Sequence, residues 1–243
     1  MPHFFITKEN IQEKFITIND KENYRHIARA LRARVGENLL LIDNEQIQYE
    51  TIITQITNST ITCEIKKSYP SKRDLEFDLF LAQSPLRSDS QLTVMEKATE
   101  LGVRGVYPVI TDNCAVKKDV AQAKIEKWQK IMYEASKQCE RAKIPTCYGI
   151  SDIKNVIEKD FDRIVVFGER STELSLKQYL SKNPINKGEK ILVIIGPEGG
   201  FSQREFEFFK EKKLPVISLG DLILKADTAV TAALGDIIYE YQG

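Results

Sequence analysis

Histidine is scarce in this sequence: His3 and His26 are the only two. The four cysteines, Cys63, Cys114, Cys139 and Cys147, never fall in a Cys-x-x-Cys pair. These shortages all but exclude a Cys/His zinc site and a Ser-His-Asp triad, and no metal is expected. Four scattered thiols read as reduced residues and not as a disulfide framework. Net charge is missing too. With 35 Lys and Arg against 35 Asp and Glu, bulk charge cannot supply affinity for nucleic acid or membrane, although a local patch can. No apolar run approaches the roughly 20 residues that span a bilayer. Met1-Pro2-His3-Phe4-Phe5-Ile6 has neither the basic start nor the apolar core of a signal peptide. A soluble, cytoplasmic protein with no membrane partner is expected.

What is present is an ordinary globular composition, 42% hydrophobic over 243 residues, enough for one large domain or two modest ones. The first seventy residues read as strand-rich, with runs at Phe15–Ile18, Leu39–Ile42, Ile47–Ile53 and Ile61–Ile65. Gly36, Asp43-Asn44 and Asn58-Ser59 supply turns between several of them. A compact barrel or sandwich is expected, with one helix over Tyr24–Arg34. The polar, proline-containing stretch Ser68–Asp74 reads as a linker, dividing the chain into domains of residues 1–70 and 71–243. Beyond it, strand-like runs at Phe77–Ala82, Val103–Val109, Ile164–Phe167, Ile191–Ile195 and Pro215–Leu219 alternate with helical stretches. Those stretches are Gln91–Leu101, Val120–Lys143, Leu174–Leu180, Gln203–Lys212 and Thr228–Tyr241. The alternation predicts an α/β domain with a parallel sheet.

The segment Ile191–Ile195 followed by Gly196-Pro197-Glu198-Gly199-Gly200-Phe201-Ser202 carries the most information. A fully apolar run fits a central strand buried on both faces. It stops at a glycine-rich loop, and Ser202 with Glu205 forms a capping box that opens a helix. Loops at the carboxyl ends of parallel strands are where open α/β sheets bind ligands. Neither a P-loop nor a G-x-G-x-x-G fingerprint is present. A second loop, Leu219 to Asp227, is apolar between a strand and a helix; it packs on its own sheet or walls a flat aromatic ligand such as adenine.

Two charged stretches complete the pattern. Glu134, Gln138 and Arg141 stand at i, i+4 and i+7 of a predicted helix, able to grip a base edge or phosphate; a solvated helix face has the same pattern. Arg25, His26, Arg29, Arg32 and Arg34 crowd one predicted helix with no acid among them. Such a patch tracks an RNA backbone or simply faces water.

Together, these segments resemble the RsmE-type 16S ribosomal RNA uridine N3-methyltransferases of the SPOUT superfamily. The matching pieces are Lys97–Val103, Glu134-Ala135 with Gln138, Arg141 and Pro145, Gly196–Gly200, and Leu219-Gly220 through Thr228-Ala229, in the family's order. His26 and Leu31-Arg32 match its PUA-like RNA-binding domain. The resemblance implies a small PUA-like β-barrel followed by a trefoil-knotted parallel sheet that binds S-adenosylmethionine, works as a homodimer and methylates N3 of a specific uridine in the small ribosomal subunit. It assigns the donor to Phe167, Gly168, Glu169, Ile195, Gly196, Pro197, Glu198, Gly199, Gly200, Leu219, Gly220, Leu222, Ile223, Leu224 and Thr228. It places Arg141 and Glu198 near the transferred methyl group and RNA against Arg25, His26, Arg29, Arg32, Arg87, Lys117, Gln138 and Arg141. Departures occur: Leu222, Lys225 and Asp227 replace the family's usual Arg, Arg and Glu, Asn113 replaces an arginine, and Arg87 stands where a lysine is usual. These leave two alternatives, a methyltransferase of the same fold acting on another rRNA or tRNA position, and a non-catalytic RNA-binding assembly factor.

Overall fold

The computed structural model describes residues 3–168 and 174–242. They fold as two compact units. The first comprises the chain up to Asp74 together with Ser136–Lys143; the second comprises Leu75–Ala135 and the chain from Ile144 onward.

The first unit is built on six strands: β1 (His3–Phe5), β2 (Ile11–Gln12), β3 (Phe15–Ile18), β4 (Asn38–Ile42), β5 (Ile47–Ile56) and β6 (Ile61–Pro70). They pair in the order β1-β4-β5-β6-β3-β2, antiparallel except for β1 with β4. Alternate residues point inward, so Phe4, Ile16, Ile18, Leu39, Leu41, Ile53, Ile61 and Cys63 form one apolar core. The four strands expected here are all present. Strand β6 runs further than expected, because Tyr69 and Pro70 still pair with Gln48 and Ile47, and the connecting segment starts only at Ser71. A proline is tolerated at that strand end, where its missing N–H breaks no ladder. The predicted Tyr24–Arg34 helix is also revised. A single α-turn, α1 (Lys21–Tyr24), gives way to a wider π turn over Arg25–Ala30, where the Leu31 N–H donates to the His26 carbonyl at 2.9 Å.

The second unit is a parallel sheet flanked by helices. Its strands are β7 (Asp78–Gln83), β8 (Gly105–Ile110), β9 (Thr146–Cys147), β10 (Ser151–Asp152), β11 (Arg163–Phe167), β12 (Lys190–Ile195) and β13 (Val216–Ile217). Their order is β10-β8-β7-β12-β11-β13, every pair parallel, with β9 also on β8. Beyond α1, the helices are α2 (Ser88–Glu100), α3 (Lys118–Gln122), α4 (Ile125–Gln138), α5 (Ile153–Ile157), α6 (Leu176–Lys182), α7 (Gln203–Glu211) and α8 (Ala226–Gln242). Strand β12 lies between β7 and β11 and is buried on both faces. Ile191, Val193 and Ile195 enter one core with α2 and α8, and Leu192 and Ile194 enter the other with Phe209 of α7. Each such side chain contributes roughly 1.5–3 kcal/mol of burial. The elements not anticipated, β1, β2, β9, β10 and α5, are two to five residues long, too short for periodicity to register. The single predicted helix over Val120–Lys143 is instead two helices, α3 and α4, and α4 ends at Gln138. Glu140 takes φ 58 and the Arg141 N–H reaches back to the Ser136 carbonyl at 3.1 Å, a Schellman-type stop made without glycine.

Candidate functional site

Strand order reverses in the second sheet between β7 and β12: β7 connects onward to β8, with β9 and β10, on one side, and β11 to β13 fill the other with β12. Open parallel sheets leave a crevice there, beyond the carboxyl ends of the strands. The crevice is present, a cavity of about 1040 Å³ bounded by the ends of β11 and β12 and by the loops that follow β7, β12 and β13. All but two of the residues expected to hold a donor line it: Phe167, Gly168, Ile195, Gly196, Pro197, Glu198, Gly199, Gly200, Leu219, Gly220, Leu222, Ile223 and Leu224. Glu169 lies outside the described residues. Thr228 is not on the wall; α8 starts two residues earlier than expected, so Thr228 sits exposed within its first turn.

The walls divide into backbone and apolar surface. After β12, the Gly200 N–H donates to the Pro197 carbonyl at 2.9 Å, closing a turn. The predicted capping box then forms: Ser202 Oγ accepts from the Glu205 N–H at 3.2 Å, and the Glu205 carboxylate accepts from the Ser202 N–H at 2.8 Å. Gly220 takes φ +116, a conformation strained for any residue with a Cβ. Phe201, Phe206, Leu219 and Leu224 supply apolar wall, while Leu222 and Ile223 stand 82% and 52% exposed at the same loop.

The loops after β7 and β8 were not anticipated as part of this site. Leu86 and Ser90 line the cavity, and the Arg87 N–H donates to Glu198 Oε1 at 3.0 Å. Beneath them, Ser84 Oγ and Thr111 Oγ1 share a buried hydrogen bond of 2.8 Å, and Gln91 accepts from the Leu86 N–H at 2.7 Å. After β8, Asp112 accepts from Ser202 Oγ at 2.6 Å and pairs with Arg204; these contacts hold its carboxyl below the usual range, the serine bond foremost. Polar residues directly following the apolar runs of β7 and β8 were the available sequence signal.

The residues expected to meet RNA fall on several elements of both units. Arg25 and Arg29 are exposed, but Arg32 has φ 53 and leaves the helix. Its i, i+4, i+7 relation to the other two no longer marks one face, because a π turn holds an extra residue. His26 is half-buried, its Nδ1 3.4 Å from Lys137 Nζ and its ring edge-on to Phe4 at 5.2 Å. Arg87 and Lys117 are exposed at the starts of α2 and α3. Gln138 is exposed at the end of α4. Arg141 lies beyond that helix, not on its face with Glu134 and Gln138. It is 4% exposed and pairs with Asp74 at 3.2 Å in the first unit, whereas Glu198 is exposed in the cavity of the second. All four cysteines are free thiols. Among the described residues no helix is long and apolar enough to cross a membrane, and no group of three or more His, Cys, Asp or Glu is placed to hold a metal.

Comparison with known proteins agrees with this architecture. Residues 73–238 match the family model described as an RNA methyltransferase domain, and residues 18–66 match an RNA methyltransferase PUA domain. The ribosomal RNA small subunit methyltransferase E of Bacillus subtilis is 27% identical over 99% of this chain and 97% of its own length. That of Aquifex aeolicus is 31% identical over 71% and 72%. The crystal structure of the corresponding enzyme from Neisseria gonorrhoeae, bound to S-adenosyl methionine, superposes with a TM-score of 0.83 at 25% identity, covering 98% of this chain and 97% of that one. From its parallel sheet, its PUA unit and these matches, the chain belongs to the RNA methyltransferase family that includes the small-subunit ribosomal RNA methyltransferases E.

Proposed function

We propose that this protein transfers a methyl group from S-adenosylmethionine to N3 of a specific uridine in 16S ribosomal RNA, in the cytoplasm and as a homodimer. The observation that carries the reading is the cavity at the carboxyl ends of β11, β12 and β13. Its backbone-rich turns and apolar walls fit the donor: amides and carbonyls for the adenine edge, Leu219 and Leu224 for its faces, and no need of a metal or phosphate-binding lysine. S-adenosylmethionine supplies, when bound, a methyl group on a sulfonium. The protein's own work is placement, exclusion of water and removal of the N3 proton. Glu198, exposed in the cavity with one carboxylate oxygen held by the Arg87 N–H, is the proposed acceptor of that proton. Arg141, buried on Asp74, is assigned here to fixing the first unit and not to meeting the base. Because N3 lies inside a Watson–Crick pair, the target nucleotide must be unstacked. Exposed Arg25 and Arg29 supply phosphate contacts that hold the strand.

Two further features belong to the proposal. A threaded, knotted end is one; strand β12, which lies between two strands that precede it in the chain, is compatible with it. Tyr239 of α8 is 77% exposed, an aromatic surface suited to a second copy.

The test is calorimetry with S-adenosylmethionine, followed by mass spectrometry of 16S rRNA from a strain lacking the gene. Binding together with the loss of one N3-methyluridine is expected. Binding with 16S rRNA unchanged would move the target to another RNA, and failure to bind the donor would leave an RNA-binding factor. For Arg25→Ala and Arg29→Ala, we expect the slope of log affinity for RNA against log salt to shrink by about one each, with stability nearly unchanged.

A further inference from the structure

The loop after β8 joins the loop after β12 through one side chain of particular geometry. Asn113 Nδ2 donates to the Gly199 carbonyl at 3.1 Å and to the Gly200 carbonyl at 3.2 Å, using the two hydrogens of a single amide. The approach is close: a Cβ added at Gly199 would lie 3.1 Å from Asn113 Cβ. Gly199 therefore leaves room for the clamp, and Asn113 is short enough to fill it. Adjacent contacts fix the same loop from the same side. The Asp112 N–H donates to Glu205 at 3.0 Å, and its carboxylate accepts from Ser202 at 2.6 Å. Gly199 and Gly200 both line the cavity, whereas Asn113 does not.

We infer that Asn113 is a positioning residue for the methyl-donor site: it acts through the carbonyls of Gly199 and Gly200, setting the shape of the glycine turn without touching the donor. The inference rests on the donor reading of the cavity. The asparagine amide is a neutral, two-pronged donor directed at the protein's own backbone. Because the clamp grips the turn, it does not distinguish the sulfonium donor from its demethylated thioether product.

Asn113→Asp tests this with little change of shape, replacing the donor amide by an acceptor that repels both carbonyls. Calorimetry on the full chain should show S-adenosylmethionine and S-adenosylhomocysteine both weakened about tenfold, with rRNA affinity within twofold of the parent. Asn113→Ala, which removes the clamp without repulsion, should weaken both by about three- to fivefold and carries the test if the aspartate variant fails to fold. Donor affinity unchanged in a folded variant overturns the inference, as does a loss confined to the sulfonium ligand or a loss of rRNA affinity equal to that of the donor. A parent protein that binds neither ligand would instead overturn the donor reading itself.

Discussion

The two units use polar chemistry in opposite ways. In the parallel-sheet unit the candidate site is mostly backbone: turns after β12 and β13, shaped by glycine and steadied by short polar side chains from the loop after β8. In the first unit much of the charge is turned upon itself. Arg141 pairs with Asp74, Arg73 with Glu140, and the 2%-exposed Lys137 lies against His26 and over the ring of Phe4. A cation in the sequence is thus no measure of a cation available to a ligand. Here Arg25 and Arg29, on the short π turn, are exposed, while Arg141, just past the end of α4, is buried against Asp74.

That contrast is broken most directly at Arg141. Removing one partner of a buried pair leaves the other charge uncompensated, at a typical cost of about 3–5 kcal/mol. Arg141→Ala should lose that much in urea unfolding, and Arg141→Ala combined with Asp74→Asn should recover part of it. A fully stable Arg141→Ala with reduced turnover would return the arginine to the reaction and erase the difference between the units.

His3 sharpens the same side of the comparison. Burial, reinforced by the charge of Arg73, lowers its imidazole from 6.5 to about 4. The folded-state value is the depressed one, so the unfolded chain takes up this proton first as pH falls. Stability from this group is complete above about pH 6.5, declines through the window down to about 4 and then levels off, a change of about 3 kcal/mol at most. The difference in unfolding free energy between parent and His3→Leu should therefore shrink or reverse across that window. A difference independent of pH would show that the imidazole carries no such linkage.

The smallest effect is expected on the other side, at Gly220. Its φ of +116 strains any larger residue although the space around it is open, at about 1–3 kcal/mol. Gly220→Ala should accordingly weaken S-adenosylmethionine binding about tenfold or more by calorimetry while rRNA affinity stays near the parent value. Equal loss of both ligands would indicate that the loop serves RNA as well.

The sheet unit was the more legible of the two. The apolar run of β12, the Ser202–Glu205 capping box and the glycine turn each leave a local sequence pattern, and the structure forms all three. The parallel sheet followed from alternation of element types. Legibility failed where a pattern depended on assumed helix geometry. The i, i+4, i+7 argument for Arg25, Arg29 and Arg32 dissolved in a π turn, and that for Glu134, Gln138 and Arg141 ended with α4 at Gln138. Nothing in residues 138–143 marks that stop, because Glu140 takes the left-handed conformation usually given to glycine.

By itself the sequence determined which segments become buried strands, where the chain turns between them and how few histidines there are. These are consequences of nearest-neighbour pattern and of inventory. Only the tertiary structure decided which charges are spent on internal partners and which loops meet around one cavity. Asn113 and the Gly199–Gly200 turn are 86 and 87 residues apart in sequence and become neighbours because β8, β7 and β12 lie side by side. Strand order is fixed by the burial of whole faces, a sum over the entire sheet that no local window of residues contains.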